Sequence, residues 1–320
     1  RSGRCRSEQL QLDREEVRRR RGLERELRPG PGVRELESPS VEHHPRDAGL
    51  EDAARRDFTI NALMADPASG EIFDYFGGLA DIAARRVRFI GDPLQRIAED
   101  HLRILRFFRF HARFGAGAPD PAGLEACTTR ANDLMALSRE RIADELIKLL
   151  AVADPVPTVE LMVGRAILRP VLPEIVPEAI PSLDALVAAE KASELAGDPL
   201  RRLAALLPPD PPLAEQVAAR LKLSNRARKR LACAAQRDDG TEPKALAFRD
   251  GVEGAVDRLL LSGRSADAAA IAGWTPPKLP IGGGALIARG VPQGPAVART
   301  LRRIEQDWVA AGFPSGDQFD

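Results

Sequence analysis

The sequence predicts a mainly α-helical protein with a small α/β part in its first third. Beyond residue 93, apolar side chains recur at three- and four-residue steps between proline and glycine breaks, which is typical of successive amphipathic helices. Short runs rich in Ile, Phe, Tyr and Val occur at residues 71–76 and 86–90, and such runs favour β-strands. These observations place two short strands ahead of a helical majority.

Residues 1–50 show neither pattern. They are dense in Arg, Glu, Pro and Gly, and the run PGPG at residues 29–32 interrupts any regular structure. We therefore predict that residues 1–50 form a degenerate or disordered N-terminal segment.

Composition limits the function classes. The 320 residues carry 47 Lys and Arg against 47 Asp and Glu, so an RNA site would have to be a local basic patch. Cys5, Cys127 and Cys233 are isolated and odd in number, which argues against a disulfide framework or a zinc site and fits a reducing cytoplasm. No apolar run reaches membrane-spanning length and no signal-peptide pattern is present, so we predict a cytoplasmic protein without a membrane partner.

The region before residue 92 is predicted to alternate between helix and strand. Residues 52–64 suit a short helix carrying Arg55, Arg56 and Asp57, with a turn after it. The strands at 71–76 and 86–90 would be joined by a tight turn at Gly77-Gly78, because glycine tolerates turn conformations.

Residues 91–115 are predicted to form one long helix. Asp92 can cap its N-terminus, Pro93 suits the first helical position, and the glycine at 115 is a natural stop. Asp100 and Arg103 are three residues apart, so they would lie on one face. Such a carboxylate and guanidinium could bind the edge of a nucleotide base, and the next two arginines could hold phosphates. An ordinary charged helix face explains the same spacing more simply.

Three ordered blocks resemble a known family. They are RRDFTINAL at residues 55–63, DYFGGLADI at 74–82 and EDHLRILRFFR at 99–109. With this spacing they resemble the bacterial-type tRNA nucleotidyltransferases, namely the CCA-adding enzymes and the related bacterial poly(A) polymerases. Residues 279–308 are similar to the family's C-terminal helical tail.

The resemblance implies a domain order and an activity. Residues 51–92 would be the C-terminal remnant of a nucleotidyltransferase head, 93–155 a neck with nucleotide-base and RNA-binding helices, and 156–320 a helical body and tail. The implied reaction is template-independent addition of CMP and AMP to tRNA 3′ ends, with CTP and ATP as substrates and Mg²⁺ as cofactor. Poly(A) polymerase, a non-catalytic RNA- or nucleotide-binding relic and a helical interaction protein remain alternatives.

The resemblance also assigns site residues. Arg56 and Asp57 would contact the sugar and phosphates of the nucleotide, since a ribose hydroxyl both donates and accepts hydrogen bonds. Asp100 and Arg103 would pair with the base edge. The nucleotide would also lie near two further arginines, Arg106 and Arg109.

A helical pair at residues 213–235 carries the strongest basic cluster of the body. Ser224 is placed to cap its second helix. The cluster, which could contact the tRNA backbone or simply be a solvated face, consists of Arg226, Arg228, Lys229 and Arg230.

One part of the family pattern is not found. The family's head begins with a glycine-rich loop and a strand bearing an Asp-x-Asp pair, which would hold the triphosphate and two Mg²⁺ ions. No such features occur in this sequence, so no catalytic residue and no metal ligand are assigned. We hypothesise that residues 1 to about 48 are a frame-shifted or otherwise corrupted version of the head domain.

Overall fold

Residues 45–92 form short helices around a two-stranded antiparallel sheet. The structure, a computed structural model, describes residues 45–237 and 240–314, and the side chains of 45–48 are left aside. In chain order the elements are α1 (Pro45–Arg55), β1 (Met64–Ala65), β2 (Ile72–Phe73) and α2 (Gly78–Ala83). Met64 pairs with Phe73, and Ala65 pairs with Ile72. Most of the segment predicted at 1–50 lies outside the described residues.

Helices make up the rest of the fold, which confirms the mainly α prediction. They are α3 (Pro93–Glu99), α4 (Arg103–Phe114), α5 (Pro121–Thr129), α6 (Arg139–Leu150), α7 (Val156–Gly164), α8 (Ile180–Ala192), α9 (Pro199–Ala205), α10 (Pro211–Arg220), α11 (Asn225–Ala235), α12 (Pro243–Asp250), α13 (Val252–Leu261), α14 (Ser265–Ile271), α15 (Gly283–Ala288) and α16 (Pro295–Ala310). Many begin with proline after a capping Asp or Glu, because proline fits the first turn and the carboxylate accepts a free backbone N–H. These caps are Asp92, Asp120, Asp198, Asp210 and Glu242.

The helix predicted at residues 52–64 is wrong in its extent. Helix α1 ends at Arg55, and Phe58 is extended, with φ of −123° and ψ of 153°. Phe58 leaves the helix because it packs in the core and forms a β-bridge with Phe89. A short 3₁₀ turn follows at Thr59–Asn61, and the Asn61 side chain accepts from the Phe58 N–H at 3.1 Å.

The strand predicted at 71–76 is present in part as β2, whereas the strand predicted at 86–90 and the pairing of the two are wrong. Strand β2 pairs with Met64–Ala65, at the end of the helix predicted at 52–64. Residues 86–90 contribute the isolated bridge at Phe89. Gly77 and Gly78 open helix α2 instead of joining two strands, because the Asp74 carboxylate accepts from the Gly78 and Leu79 N–H groups. Gly78 has to lack a side chain, since a Cβ there would lie 2.4 Å from the Thr59 carbonyl oxygen.

The single long helix predicted at 91–115 is interrupted. The Asp92 cap and the stop at Gly115 are confirmed. Between them Asp100 has φ of −152° and ψ of 106°, so α3 ends at Glu99 and α4 begins at Arg103. The Asp100 carboxylate accepts from the Leu102 N–H at 3.1 Å, which stabilises the break. Asp100 and Arg103 therefore do not share a helix face.

Aromatic side chains join the first third of the chain to helix α4. The Phe58 ring lies 5.0 Å from that of Phe89 and 4.9 Å from that of Phe110. Phe89 stacks on Phe107 at 5.5 Å. Because Phe58 directly follows Asp57 in the chain, this cluster also fixes the position of Asp57.

Buried ion pairs hold the helices of the body together. Glu190 of α8 accepts from Arg201 at 2.8 Å and from Arg202 at 2.9 Å, both on α9. Arg201 also bonds Asp257 of α13 at 2.8 Å. These four residues are at most 6% exposed, so their charges have to satisfy one another.

The last helix packs through Trp308. Trp308 is buried and lies against Phe248 and Phe313. The described residues from Asp47 onward form one compact unit, so the domain boundaries predicted at 92 and 155 lie inside it and stay predictions. Within the described residues, none of the helices is long and apolar enough to cross a membrane.

Candidate nucleotide and RNA site

A chain of charged side chains connects Asp57 to helices α4 and α6. Arg106 of α4 donates to the Asp57 carboxylate, and Asn61 donates to its other oxygen at 3.0 Å. Glu145 of α6 accepts from Arg109 at 2.5 Å and lies 3.8 Å from Arg106. Asp57 and Glu145 are almost fully buried. Their carboxylates therefore fix the positions of the Arg106 and Arg109 side chains.

Electrostatics keep Asp57 and Arg106 charged. Burial opposes the ionisation of Asp57, but the hydrogen bonds from Arg106 and Asn61 outweigh it and lower the pKa of the Asp57 carboxyl. Burial likewise opposes the charge on Arg106, but Asp57 outweighs that effect and raises the pKa of the guanidinium. The two groups are therefore a charged pair over the whole physiological pH range.

A second cluster anchors residues 55 and 56 to the helix break. Glu99 accepts from Arg96 at 2.7 Å and from Arg103 at 2.6 Å. Arg96 also donates to the backbone carbonyls of Arg55, at 3.0 Å, and of Arg56. Arg103 is 13% exposed, and one of its terminal nitrogens makes a single long contact of 3.5 Å, to the Arg55 carbonyl. That nitrogen retains donor capacity for a ligand.

Asp100 lies beside this cluster but has a different partner. Its second carboxylate oxygen accepts from Arg141 of α6 at 2.8 Å. Asp100 and Arg141 are partly exposed, at 35% and 48%. The backbones of Asp100 and Arg103 are joined across the helix break, where the Arg103 N–H bonds the Asp100 carbonyl at 3.0 Å, while their side chains bond different partners.

Arg56 is separate from the other predicted site residues. Its side chain is 51% exposed and bonds Asp52 on α1 at 2.7 Å. Its backbone carbonyl, held by Arg96, is the part of Arg56 that belongs to the cluster.

Sequence reasoning missed the carboxylate and the arginine that helix α6 contributes. Arg141 and Glu145 are four residues apart, so they share one helix face. That spacing predicts that the two side chains lie together on one face of α6. The partners of this face become evident only when α6 packs against α4.

The predicted basic cluster of the body is partly a solvated surface. Arg226 is 84% exposed and bonds Glu253 at 3.0 Å. Arg228 lies 3.5 Å from a glutamate of α10, and Lys229 is exposed. These three cations are accessible to a ligand.

Arg230 is placed differently from its neighbours. It is 11% exposed and bonds the fully buried Asp257 at 2.6 Å, Glu253 at 2.9 Å and Asp198 at 3.0 Å. These bonds make Arg230 a structural link between α11 and α13, and they leave little of its charge for RNA.

A metal site is not evident in the described part of the chain. Residues 45–237 and 240–314 include no group of three or more His, Cys, Asp and Glu side chains able to hold a metal ion. Arginines neutralise the Asp57 and Glu145 carboxylates, and their positive charge disfavours a metal cation at the same place. The described residues therefore do not fit the Mg²⁺ that the resemblance implies.

Comparisons with known proteins find similarity to one family in two segments of the chain. The family model described as the poly A polymerase head domain matches residues 24–88. A second model, described as the probable RNA and SrmB-binding site of polymerase A, matches residues 118–178. The fold aligns with the CCA-adding enzyme of Bacillus stearothermophilus, solved in complex with CTP, with a TM-score of 0.65 and 26% identity over 82% of this chain and 70% of that one.

In these segments and in its fold, the chain is similar to the tRNA nucleotidyltransferases and poly(A) polymerases. Human mitochondrial CCA tRNA nucleotidyltransferase 1 is 48% identical over 101 residues, which is 31% of this chain and 23% of that protein. Poly(A) polymerase I of Haemophilus influenzae is 39% identical over 112 residues, or 35% of this chain and 25% of that protein. The chain thus matches about a quarter of the length of these curated relatives.

The fold class is confirmed, and the match to the head-domain model raises one further point. That match begins at residue 24, inside the segment predicted to be degenerate. Residues 24–44 lie outside the described residues, so the frame-shift hypothesis stays a prediction. The stretch from Asp92 to Phe114, which carries most of the predicted nucleotide site, falls between the two matched segments.

Proposed function

We propose that residues 51–155 bind CTP and ATP, and that the chain belongs to an enzyme that adds CMP and AMP to tRNA 3′ ends without a nucleic-acid template. The observation that carries this proposal is the helix break at Asp100. This break leaves the Asp100 carboxylate with a replaceable partner, Arg141, in the turn that leads into Arg103. On the same helix as Arg103, Arg106 bonds Asp57, and this arrangement supports the proposal. Within the described residues, no other cluster offers hydrogen-bond donors and acceptors for a nucleotide base together with a charged pair that could bind a ribose hydroxyl.

The chemistry of the bases explains why this pair selects C and A. Cytosine and adenine each carry an exocyclic amino group, which donates, whereas uracil and guanine carry a carbonyl oxygen at the same position. The Asp100 carboxylate can accept from the amino group, and Arg103 can donate to the adjacent ring nitrogen. A uracil or guanine would place its carbonyl oxygen next to the carboxylate. Because both groups are acceptors, no hydrogen bond would form between them.

The ribose and phosphates have partners on the same surface. An ionised carboxylate has about four acceptor sites. Asp57 can therefore keep its bonds to Asn61 and Arg106 and still accept from a ribose hydroxyl. Arg109, held by Glu145 and lying over the Phe110 ring at 4.7 Å, keeps donors for a phosphate oxygen.

The tRNA is the proposed primer, and the exposed cations of the body are proposed contacts to its backbone. Arg226, Arg228 and Lys229 supply local positive charge of the kind that binds phosphates without sequence preference. Arg230 would act indirectly, by holding α11 in place.

Poly(A) polymerase is the second candidate. The match to the Haemophilus poly(A) polymerase I supports it, and a base site that accepts adenine serves either product. CTP incorporation separates the two, because a poly(A) polymerase extends RNA with AMP.

The test has a binding arm and an incorporation arm. In the first, CTP and ATP are titrated into the full chain and into Arg103→Ala. We expect measurable binding that Arg103→Ala weakens at least tenfold, and equal binding would exclude the proposed base site. In the second, tRNA lacking CCA is incubated with Mg²⁺ and with labelled CTP, ATP or both.

The incorporation arm decides between enzyme and relic. Incorporation of CMP followed by AMP supports a CCA-adding enzyme, and AMP alone supports the polymerase. Nucleotide binding without any incorporation would favour the non-catalytic relic, in keeping with the lack of a metal-binding group in the described residues. The cytoplasmic location stays a prediction, since one relative is named as mitochondrial.

A further inference from the structure

A groove of about 830 Å³ lies at the far end of helix α4. Its charged lining comes from three separate regions of the chain. Arg109 and Arg113 lie on α4, Lys148 lies on α6, and Arg85 follows α2, whereas Asp154 is the single acidic residue of the lining. The groove walls therefore carry four cations and one anion.

Two of these cations have no carboxylate partner among the described residues. Arg113 makes no ion pair there and rests over the Phe114 ring at 5.3 Å. Arg85 donates to the backbone carbonyl of Gly115 at 3.2 Å, and that carbonyl is uncharged. By contrast, Lys148 bonds Asp144 at 2.5 Å, in an exposed pair of the kind that a stronger anion readily displaces.

The backbone holds Arg85 in an unfavourable conformation. Its φ is 50°, in the left-handed region that L-residues other than Asn and Asp rarely adopt. The Ala116 N–H bonds the Arg85 carbonyl at 2.9 Å, which fixes this conformation beside the end of α4. Backbone strain of this kind persists where the surrounding structure enforces it, and it often occurs at functional sites.

The groove continues the row of arginines that begins at the base site. Arg103, Arg106, Arg109 and Arg113 follow one stripe of α4, and ten residues of helix span about 15 Å. The other wall, Lys148 to Asp154, lies in the segment that matches a probable RNA-binding model, residues 118–178. Charge and position thus both favour RNA as the occupant.

We propose that this groove binds backbone phosphates of the RNA primer, with Arg85, Arg113 and Lys148 as the phosphate ligands. The proposal rests on the proposed function, because it takes the RNA to be the tRNA whose 3′ end is extended. The triphosphate of the incoming nucleotide has the same phosphate chemistry, so the test has to separate the two sources.

The test compares the double variant Arg113→Gln/Lys148→Gln with the wild-type chain. Both side chains are exposed and their only described contacts are Phe114 and the Asp144 pair, so folding should be preserved, as a thermal midpoint would verify. Lys191→Gln, which removes an exposed cation of α8, is the matched control. Binding of tRNA lacking CCA is measured across a salt series, and binding of CTP is measured in parallel.

We expect the double variant to bind tRNA about tenfold more weakly, with a log–log salt slope reduced by about 1.4, because each single-strand phosphate contact contributes about 0.7. CTP affinity should stay within about twofold, and the control should match the wild type. Unchanged tRNA affinity and salt slope would overturn the proposal. Weakened CTP binding with unchanged tRNA binding would also overturn it, by assigning the groove to the triphosphate.

These outcomes remain separate from the fate of the proposed function. Groove-dependent tRNA binding without nucleotide incorporation would retain the groove and reject catalysis. Incorporation that is unaffected by the double variant would retain the enzyme and reject the groove. A wild-type chain that binds no tRNA would reject both.

Discussion

Asp100 accepts a hydrogen bond from Arg141 at 2.8 Å, across the interface between the α3–α4 break and helix α6. In the proposed site the same carboxylate oxygen would accept the amino group of cytosine or adenine. Arg141 and the base would therefore compete for Asp100. A partly exposed ion pair of this kind contributes roughly 0.2–1 kcal/mol, so a bound nucleotide could displace it.

Replacing Arg141 tests this competition. We expect Arg141→Ala to bind CTP and ATP more tightly by up to about fivefold, since the base no longer displaces a partner worth roughly 0.2–1 kcal/mol. Isothermal titration calorimetry measures the effect. Weaker binding would mean that Arg141 orients Asp100 rather than competing for it.

Glu145 is expected to matter for stability as well as for ligand binding. Glu145→Ala would leave Arg109 and Arg106 without their shared buried carboxylate, at a cost of about 3–5 kcal/mol in the free energy of unfolding. Glu145→Gln keeps one acceptor and should cost less, about 2 kcal/mol. Urea unfolding measures both.

The matched control for Glu145 is Glu160→Gln, on the exposed face of α7. It should change stability by no more than about 0.5 kcal/mol. If Glu145→Gln were equally mild, the carboxylate would not be the support for the two arginines that the structure indicates.

Acid should destabilise the protein partly through Asp57. Burial disfavours its charge, but Arg106 and Asn61 lower its pKa below the ordinary value of 3.8. A group with a depressed folded pKa stabilises the fold above its unfolded pKa, and that contribution is lost as the pH falls through the folded pKa. Stability should therefore decline below about pH 4, near the ordinary Asp pKa.

The variant Asp57→Asn isolates this contribution. It should be less stable at neutral pH by about 1–3 kcal/mol, because Arg106 loses its charged partner. Its thermal midpoint should then fall less steeply with acid than that of the wild type. Asp184→Asn, at an exposed position of α8, should reproduce the wild-type pH profile. Parallel profiles for all three proteins would contradict the assignment.

Gly78 offers a test of how closely α2 approaches the Asp57 segment. A Cβ at this position would lie 2.4 Å from the Thr59 carbonyl oxygen and 3.1 Å from a Leu63 methyl group. Gly78→Ala should therefore cost about 2–3 kcal/mol and weaken nucleotide binding, because Thr59 lies two residues after Asp57. Thermal unfolding and CTP titration measure the two effects.

Gly284 provides the control for the substitution at Gly78. It lies in helix α15, and a Cβ there would meet no atom within 4 Å. Gly284→Ala should be neutral or stabilising by up to about 1 kcal/mol. Equal effects at the two glycines would show that the close approach at Gly78 is relaxed in solution.

Local signals in the sequence predicted the helix ends well. Asp92 and Ser224 cap their helices as predicted, since each side chain accepts a free N–H of the first turn. These predictions hold because a cap depends on residues within one turn. The short elements before residue 92 were assigned less well, since the position of Phe58 depends on Phe89, which is distant in the chain.

The break at Asp100 could not be predicted from periodicity. No glycine or proline marks it, and the apolar stripe continues through it. The break depends on the Asp100 bond to the Leu102 N–H and on Arg141, which is 41 residues away in the chain. For the same reason, the sequence could not supply Glu145 and Arg141 as partners of Arg109 and Asp100, because these contacts require the packing of α6 against α4 and the helix break.

The most direct test of the account is the base preference of Asp100→Asn. Affinities for CTP, ATP, UTP and GTP are measured on the wild-type chain and on this variant. We predict that the wild type favours CTP and ATP by about tenfold or more, in line with roughly 1–3 kcal/mol for a bidentate base contact, and that the variant loses this preference while it still binds nucleotide. A variant that keeps the wild-type order and spread of affinities would contradict the claim that Asp100 reads the base edge.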